Sequence, residues 1–177
     1  QASSSEMFGN STDRSQSETS NFNPESPYAI SKLSGHYITN YYRNTHKLFA
    51  VSGILFNHES PLRDDNYVIK KIVRGLIEIK KKKKKYIELG NIYSRRDWGY
   101  AKEYVQQMWK MLQLRKPKDF VIATGKTYSI KQLINFTAEE LSMRVKWEGF
   151  GINERLINLE NNRIIIKINK KLYRPSD

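Results

Sequence analysis

Two kinds of hydrophobic pattern alternate along this chain. Helical spacing of apolar residues marks four segments, and short, nearly continuous apolar runs, typical of strands buried in a parallel sheet, lie between them. Ser26-Pro27 opens the first helix, because serine caps helices and proline fits their first turn. The pattern predicts helices at about 27–44, 67–83, 101–114 and 129–141, and strands at about 48–56, 86–89, 120–123 and 164–168. This alternation favours an α/β fold.

Polar stretches indicate the boundaries of these elements. Residues 10–24 are rich in Ser, Asn, Thr and Glu without apolar periodicity, which predicts an exposed loop. Ser129 and Gln132 have the spacing of a capping box at the start of the fourth helix. The first residues, 1–5, are typical of the end of a strand rather than of a natural terminus, and we expect the chain to be truncated.

The composition limits the possible classes of protein. The 177 residues are 38% hydrophobic, enough for one core, and the sequence contains no apolar run of about 18 residues. We therefore expect a cytoplasmic protein with no membrane contact. The absence of cysteine excludes disulfides, thiolate nucleophiles and cysteine-ligated metals, and three scattered histidines predict no metal site.

The net charge of +13 leaves a second class open. A basic surface suits phosphate, so a nucleic-acid-binding domain is an alternative. Six of the positive charges, however, lie in the single block Lys80–Lys85 at the end of the second predicted helix. Cations there complement the helix dipole, which favours a solvated helix end and makes nucleic acid a less favoured partner.

The first predicted helix carries the clearest candidate chemistry. Tyr28 and Lys32 are four residues apart and share one helix face, so the ammonium group would favour the phenolate of Tyr28 and make it a base. Such a pair alone is more often a surface packing pair. Here Ser4 and Glu6 precede it at a predicted strand end, where ligand sites of α/β proteins collect.

Together these residues resemble the extended short-chain dehydrogenase/reductase family, in which a hydroxyl at a strand end joins a Tyr-x-x-x-Lys helix. Within it, the chain is similar to the GDP-mannose 4,6-dehydratase family over nearly its whole length. The matching stretches are 2–9 (ASSSEMFG), 26–32 (SPYAISK), 53–61 (GILFNHESP), 89–91 (LGN), 96–99 (RDWG) and 119–125 (DFVIATG).

The resemblance implies a fold and a domain division. It predicts the C-terminal part of a Rossmann-like parallel sheet and a smaller α/β substrate-binding region. Residues 1–60 would complete the NADP-binding domain and carry the catalytic groups. Residues 61–177 would mainly bind substrate, with about 90–125 returning to the Rossmann sheet.

The resemblance also implies the site residues. Ser4, Glu6, Tyr28 and Lys32 take the catalytic positions, with Ser4 standing where many members have Thr. Tyr28 would take the proton of the C4 hydroxyl of GDP-mannose while NADP accepts the hydride from C4. Glu6 would remove the C5 proton so that water leaves C6, and the hydride would then return to C6. The implied NADP contacts are Tyr28, Lys32, His58 and Arg63, and the implied substrate contacts are Asn57, Lys71 and Arg96. Leu62 stands where the family commonly has a second arginine.

One family feature is absent from the sequence. No Gly-x-x-Gly-x-x-Gly turn for a pyrophosphate occurs in the 177 residues, so we expect the fragment alone to be inactive. A homo-oligomer, with apolar surface near Ile38 and Tyr41, is implied by the family. Another nucleotide-sugar epimerase or dehydratase remains an alternative, as does a non-catalytic fragment that binds nucleic acid or another partner.

Overall fold

The computed structural model describes residues 1–11 and 15–173. These residues form two compact units. The first unit contains residues 1–60 and 97–126, and the second contains residues 61–96 and 127–177. Among the described residues, no helix has the length and apolar character needed to cross a membrane.

The first unit is built on a parallel sheet. Its elements are β1 (Ala2–Ser4), α1 (Pro27–Thr45), β2 (Gly53–Leu55), β3 (Asn57–Glu59), β5 (Arg95–Tyr100, its first two residues in the second unit), α3 (Ala101–Met111) and β6 (Phe120–Ile122). β2 lies in the middle, with Gly53 opposite Ala2 of β1 on one side and Phe120 of β6 on the other. β3 and β5 pair separately, also in parallel.

Both faces of β2 are buried. Ile54 packs with Met7 and Phe8 on one face, and Leu55 packs with Tyr104 and Met111 of α3 on the other. This double burial explains the nearly continuous apolar sequence of the strand. α1 packs on β1 and on the 3₁₀ turn Ser5–Phe8 that follows it.

The second unit contains a mixed sheet. Its elements are α2 (Val68–Lys80), β4 (Ile87–Leu89), β7 (Thr127–Ser129), α4 (Ile130–Glu140), β8 (Val145–Glu148), β9 (Arg155–Asn158) and β10 (Arg163–Ile168), with 3₁₀ turns at Gly151–Asn153 and Lys170–Leu172. The strand order is β4-β10-β9-β8, in which β4 is parallel to β10 and the other pairs are antiparallel. α2 and α4 cover this sheet with a core that includes Leu76, Ile134 and Ile166.

The predicted helices are confirmed, with small changes at their ends. Ser26 caps α1 by accepting a hydrogen bond from the Ala29 amide, and Pro27 occupies the first turn. Ser129 and Gln132 form the predicted capping box. The lysine block begins at the last residue of α2 and continues through the turn after it. The predicted loop 10–24 is irregular where it is described, and residues 12–14 lie outside the described residues.

The prediction of one long strand over 48–56 is wrong. Only Gly53–Leu55 forms β2, because Leu48 and Phe49 are about half exposed and the buried part of the run begins at Val51. β8 and β9 were not predicted either. Both are four-residue strands with charged side chains among their apolar ones, so neither has a strong strand pattern.

Candidate active site

The candidate site lies at one edge of the first unit's sheet. β1, β2 and β6 run parallel, so their carboxyl ends meet at the same edge. Ser4 ends β1, Asn57 follows β2 by two residues, and Thr124 follows β6 by two residues. Ligand sites in open α/β sheets form at this edge, and predicted site residues lie on it and on the helix packed beside it.

The strand end places a hydroxyl and a carboxylate two residues apart. Ser4 is buried, and its Oγ accepts a hydrogen bond from the Glu6 amide at 3.2 Å, which starts the 3₁₀ turn. Glu6 lies in the first turn of that short helix with an exposed side chain, while the next two residues, Met7 and Phe8, are buried. The buried pair anchors the turn, while the Glu6 carboxylate stays exposed.

α1 holds the phenol and the ammonium beside this strand end. The Nζ atom of Lys32 lies 5.5 Å from the centre of the Tyr28 ring and donates a hydrogen bond to the carbonyl oxygen of Ala2 at 3.1 Å. Tyr28 is 50% exposed, so its hydroxyl can meet a ligand. The lysine therefore links the first part of α1 to Ala2 of β1, the residue directly before Ser3 and Ser4.

A buried polar network lies behind these groups, and the sequence analysis missed it. His36 is one turn after Lys32 on α1, and its Nδ1 lies 3.3 Å from Ser3 Oγ. Its Nε2 lies 3.7 Å from Asp119, which also accepts two hydrogen bonds from Arg43 at 2.7 and 2.8 Å. The Ser52 amide donates to Asp119 as well. The network therefore joins α1 to β1 and to the residues before β2 and β6.

Charge and burial act in opposite directions in this network. Burial lowers the pKa of His36 below its ordinary value, although the charge of Asp119 opposes the shift. Burial alone would raise the pKa of Asp119, but hydrogen bonds from Arg43 and from the Ser52 amide outweigh it and lower that pKa. The Arg43–Asp119 ion pair is thus favoured, and His36 is favoured in its neutral form.

Asp97 is a second buried group that the sequence analysis did not single out. It accepts hydrogen bonds from the amide and hydroxyl of Thr124 and from the Gly125 amide, at 2.8 to 3.1 Å. Its side chain is enclosed, with 5% of the residue exposed. Asp97 therefore fixes the loop that follows β6 at the carboxyl edge. Its partners are 27 and 28 residues away in the sequence, which is why local patterns give no sign of it.

Two predicted ligand contacts lie just after β2, separated from it by Phe56. Asn57 and His58 belong to β3, and both are partly exposed. His58 lies face to face with Tyr104 of α3, with ring centres 4.9 Å apart, and its Nδ1 is 2.9 Å from the carbonyl oxygen of Phe56. These contacts hold the imidazole in one orientation.

The other three predicted contacts belong to the second unit. The guanidinium of Arg63 lies over the Tyr67 ring, with its carbon 3.4 Å from the ring centre. The backbone carbonyl of Arg63 accepts a hydrogen bond from Lys70 at 2.6 Å. Lys71 and Arg96 are partly exposed, and within the described part of the chain neither has an acidic side chain as partner. Both cations can therefore accept an anionic ligand.

Comparisons with known proteins identify the family of this chain. The family model described as GDP-mannose 4,6 dehydratase matches residues 1–177. A Caenorhabditis elegans protein named GDP-mannose 4,6 dehydratase 2 is 45% identical over 177 residues, which are 100% of this chain and 46% of that protein. Human GDP-mannose 4,6 dehydratase is 41% identical over 177 residues, again 100% of this chain and 48% of the relative. The chain spans about half the length of the curated relatives it matches.

Solved structures show the same fold at lower identity. A UDP-N-acetylglucosamine 4-epimerase from Methanobrevibacter ruminantium, in complex with UDP-N-acetylmuramic acid, superposes with a TM-score of 0.78 at 23% identity, covering 99% of this chain and 50% of the other. RMD from Pseudomonas aeruginosa, complexed with NADPH, gives 0.76 at 22% identity, covering 81% and 50%. The predicted α/β fold with parallel strands is confirmed. Because the family model matches the whole chain, the chain belongs to the GDP-mannose 4,6-dehydratase family.

Proposed function

We propose that this chain carries the acid–base groups of a GDP-mannose 4,6-dehydratase, which converts GDP-mannose to GDP-4-keto-6-deoxymannose. The observation that carries the proposal is the packing of α1, with Tyr28 and Lys32, against the strand and turn that hold Ser4 and Glu6. Relatives that match the whole chain are named GDP-mannose 4,6 dehydratase. The first unit is then the remaining part of the cofactor-binding domain, and the second mainly binds substrate.

Each group has a separate task in this reaction. Tyr28 takes the proton of the C4 hydroxyl, and Lys32 stabilises the phenolate that this requires. Ser4 donates a hydrogen bond to the C4 oxygen. Once C4 is a carbonyl, the C5 proton is acidic, and Glu6 removes it and protonates the departing C6 hydroxyl. Oxidation and elimination thus use different side chains.

The cofactor that fits is a nicotinamide dinucleotide. When bound, it would accept the hydride from C4 and supply it at C6, while a proton from solvent completes C5. The first unit offers suitable groups for the nicotinamide end, since Lys32 and Tyr28 lie beside the carboxyl edge of a parallel sheet. We propose NADP, with His58 and Arg63 as further contacts. The similar RMD structure contains NADPH, while a similar dTDP-glucose 4,6-dehydratase from Bacillus anthracis contains NAD.

Substrate recognition follows from charge. Lys71 and Arg96 can pair with the diphosphate of GDP-mannose, and Asn57 can hydrogen-bond to it. Ile38 and Tyr41 are each 57% exposed on α1, which supports a contact between copies in a homo-oligomer. Because the sequence has no glycine-rich phosphate-binding turn, we propose that this chain alone does not convert substrate to product. Location in the cytoplasm remains a prediction from the sequence.

The test uses this chain joined to the glycine-rich amino-terminal half of a curated relative. Tyr28→Phe should abolish the reduced-cofactor absorbance on mixing with GDP-mannose, because C4 oxidation cannot begin. Glu6→Gln should still permit oxidation but should slow solvent deuterium entry at C5 and loss of water by about 10²- to 10⁴-fold. A stalled keto intermediate should then be visible by rapid mixing.

Matched controls are available near each site. Tyr37→Phe changes an exposed tyrosine of the same helix, and Glu25→Gln changes an exposed carboxylate before it, so both should leave the two steps unchanged. If Glu6→Gln dehydrates within a few-fold of the parent rate, Glu6 has no role in elimination, and an epimerase-like reaction replaces the proposal.

A further inference from the structure

The imidazole of His58 has a defined proton arrangement. Its Nδ1 lies 2.9 Å from the carbonyl oxygen of Phe56, and a carbonyl oxygen only accepts hydrogen bonds. Nδ1 therefore carries the hydrogen. In the neutral ring, Nε2 then has a free lone pair, and among the described residues it has no hydrogen-bond partner. The ring thus offers an acceptor to whatever binds beside it.

Tyr104 fixes the plane of this ring. The two rings stack with centres 4.9 Å apart and planes 28° apart, and Tyr104 itself is only 3% exposed. Burial, with smaller effects from the charges of Asp97 and Glu103, raises the pKa of Tyr104 to about 12, so the phenol stays protonated. Its hydroxyl has no hydrogen-bond partner among the described residues. The aromatic ring of Tyr104, and not its hydroxyl, therefore contacts the imidazole of His58.

Gly99 leaves the space that this arrangement needs. It lies opposite His58 in the β3–β5 pair. A Cβ atom at position 99 would lie 2.3 Å from Cε2 of Tyr104 and 3.0 Å from its hydroxyl oxygen. A side chain there would force the buried tyrosine away from its position under the imidazole. Gly99, Tyr104 and His58 thus form one packed cluster. The absence of a side chain at Gly99 leaves room for Tyr104, and the Tyr104 ring holds the imidazole of His58.

We propose that Tyr104 is a positioning residue that holds His58 with Nε2 as the acceptor for a hydrogen-bond donor on the cofactor, an amide or hydroxyl group and not a phosphate. This rests on the proposed function for the presence of the cofactor, but the proton arrangement of His58 does not. The two predicted cofactor contacts would then bind different chemical groups of the cofactor. His58 accepts a hydrogen bond from an uncharged donor, and the guanidinium of Arg63 remains the group suited to a phosphate.

The first experiment needs only this chain without ligand. Long-range ¹H–¹⁵N spectra distinguish an imidazole protonated at Nδ1 from one protonated at Nε2. We expect His58 to be protonated at Nδ1 in the parent chain and in Tyr104→Phe, which keeps the stacked ring. Tyr104→Leu and Gly99→Ala should give a mixture of both forms and remove the ring-current shift of the His58 protons. His46, an exposed histidine, should be unaffected in all variants.

Two outcomes of this experiment would overturn the positioning role. One is an Nε2-protonated ring in the parent chain. The other is an unchanged ring in Tyr104→Leu, provided that its circular dichroism shows a folded chain. Neither outcome bears on whether the chain belongs to a dehydratase, so a failure here is separate from a failure of the proposed function.

The second experiment identifies the ligand group by calorimetry with NADP, using the chain joined to the glycine-rich half. His58→Gln keeps an oxygen acceptor at about the reach of Nε2, whereas His58→Lys offers only donors and a charge. We expect Gln to bind NADP within about threefold of the parent and Lys to bind at least about tenfold more weakly, the loss of one well-placed hydrogen bond. Tighter binding by Lys than by Gln would mean that His58 faces a phosphate.

Discussion

At the scale of single residues, polar side chains hold α1 against the strands of the first unit. Lys32 on α1 reaches Ala2 of β1, while His36, one turn later, reaches Ser3. Arg43, near the end of α1, pairs with Asp119 just before β6. The pair is partly buried, so its charges lose part of their hydration, and hydrogen bonds from Arg43 to both oxygens of Asp119 offset that loss. The same contacts therefore keep α1, which carries Tyr28, packed against β1 and the turn after it.

The His36 network predicts a pH dependence of stability. The pKa of His36 is lowered by burial, so between that folded value and about 6.5 the unfolded chain binds more protons than the folded one. Stability should therefore be full above about pH 6.5 and fall as the pH drops below it. His36→Asn, whose amide can still reach Ser3, should reduce this loss in thermal melts between pH 7.5 and about 5.

His46→Asn is the matched control, because His46 is exposed at the end of α1. It should keep the parent dependence on pH. Asp119 affects stability in a lower pH range. Because its pKa is lowered in the folded chain, its contribution to stability is lost only as the pH falls from about 3.8 through the folded pKa. If His36→Asn and the parent lose the same stability between pH 7.5 and 5, protonation of His36 is not the cause.

At the scale of elements, the starts of the helices were the best-predicted features. Ser26 and Ser129 act as caps because a serine side chain satisfies an amide that the first turn leaves unpaired. These signals are local, so a sequence shows them. The contacts of Asp97 and Asp119 join residues 27 to 83 positions apart, and no local pattern predicts which distant amide or cation a buried carboxylate will meet.

The predicted site residues show the same division. Tyr28 and Lys32 share one helix face, and their proximity follows from helical spacing alone. Tyr104, by contrast, looks like an ordinary core position of an amphipathic helix. Only the pairing of β3 with β5 shows that it lies under His58. The roles assigned to Ser4, Glu6, Tyr28 and Lys32 stay predictions until the variants above are measured.

The capping box of α4 gives a prediction at this scale. The Gln132 amide donates to Ser129 Oγ at 3.1 Å, and the Ser129 amide donates to the Gln132 side chain at 2.9 Å. α4 contributes Ile134 to the core of the second unit. Ser129→Ala should lower the free energy of unfolding in urea by about 1 kcal/mol and speed hydrogen exchange in the first turn of α4.

Ser34→Ala provides the comparison for this change. Ser34 lies inside α1, and its exposed hydroxyl donates only to the Ile30 carbonyl of the same helix. Alanine favours helices, so the free energy of unfolding should change by less than about 0.5 kcal/mol. Equal losses in the two variants would mean that the cap itself does not stabilise α4.

At the scale of the whole molecule, the positive charge is unevenly distributed along the chain. The formal net charge is +13, and one stretch, Lys80–Lys85, supplies six of the cations. These lysines form the end of α2 and the turn after it. Their contacts are at the surface: Lys80 donates to the Leu141 carbonyl, and Lys84 lies 3.7 Å from Glu78. A surface cation contributes little to folding, so the block is separate from the packing of the second unit.

Replacing Lys80–Lys85 with glutamine should therefore leave a cooperatively folded chain. Each exposed ion pair is worth at most about 1 kcal/mol, and less charge repulsion within the block offsets the loss. Thermal melts at low and at physiological salt measure this. In the joined enzyme, dehydration of GDP-mannose should also be unchanged, because no proposed site residue lies within the block. Loss of a cooperative transition would show that the block is part of the fold.

A charge-matched pair of variants separates this reading from the nucleic-acid alternative. One variant changes three lysines of the block, and the other changes three exposed lysines of the first unit, all to glutamine. The two sets are Lys81, Lys82 and Lys83, and Lys102, Lys110 and Lys116. Nonspecific attraction to duplex DNA at low salt depends on total charge, so both should weaken it equally. If the block variant alone loses salt-sensitive binding, the lysines form a nucleic-acid site and the basic charge has a function of its own.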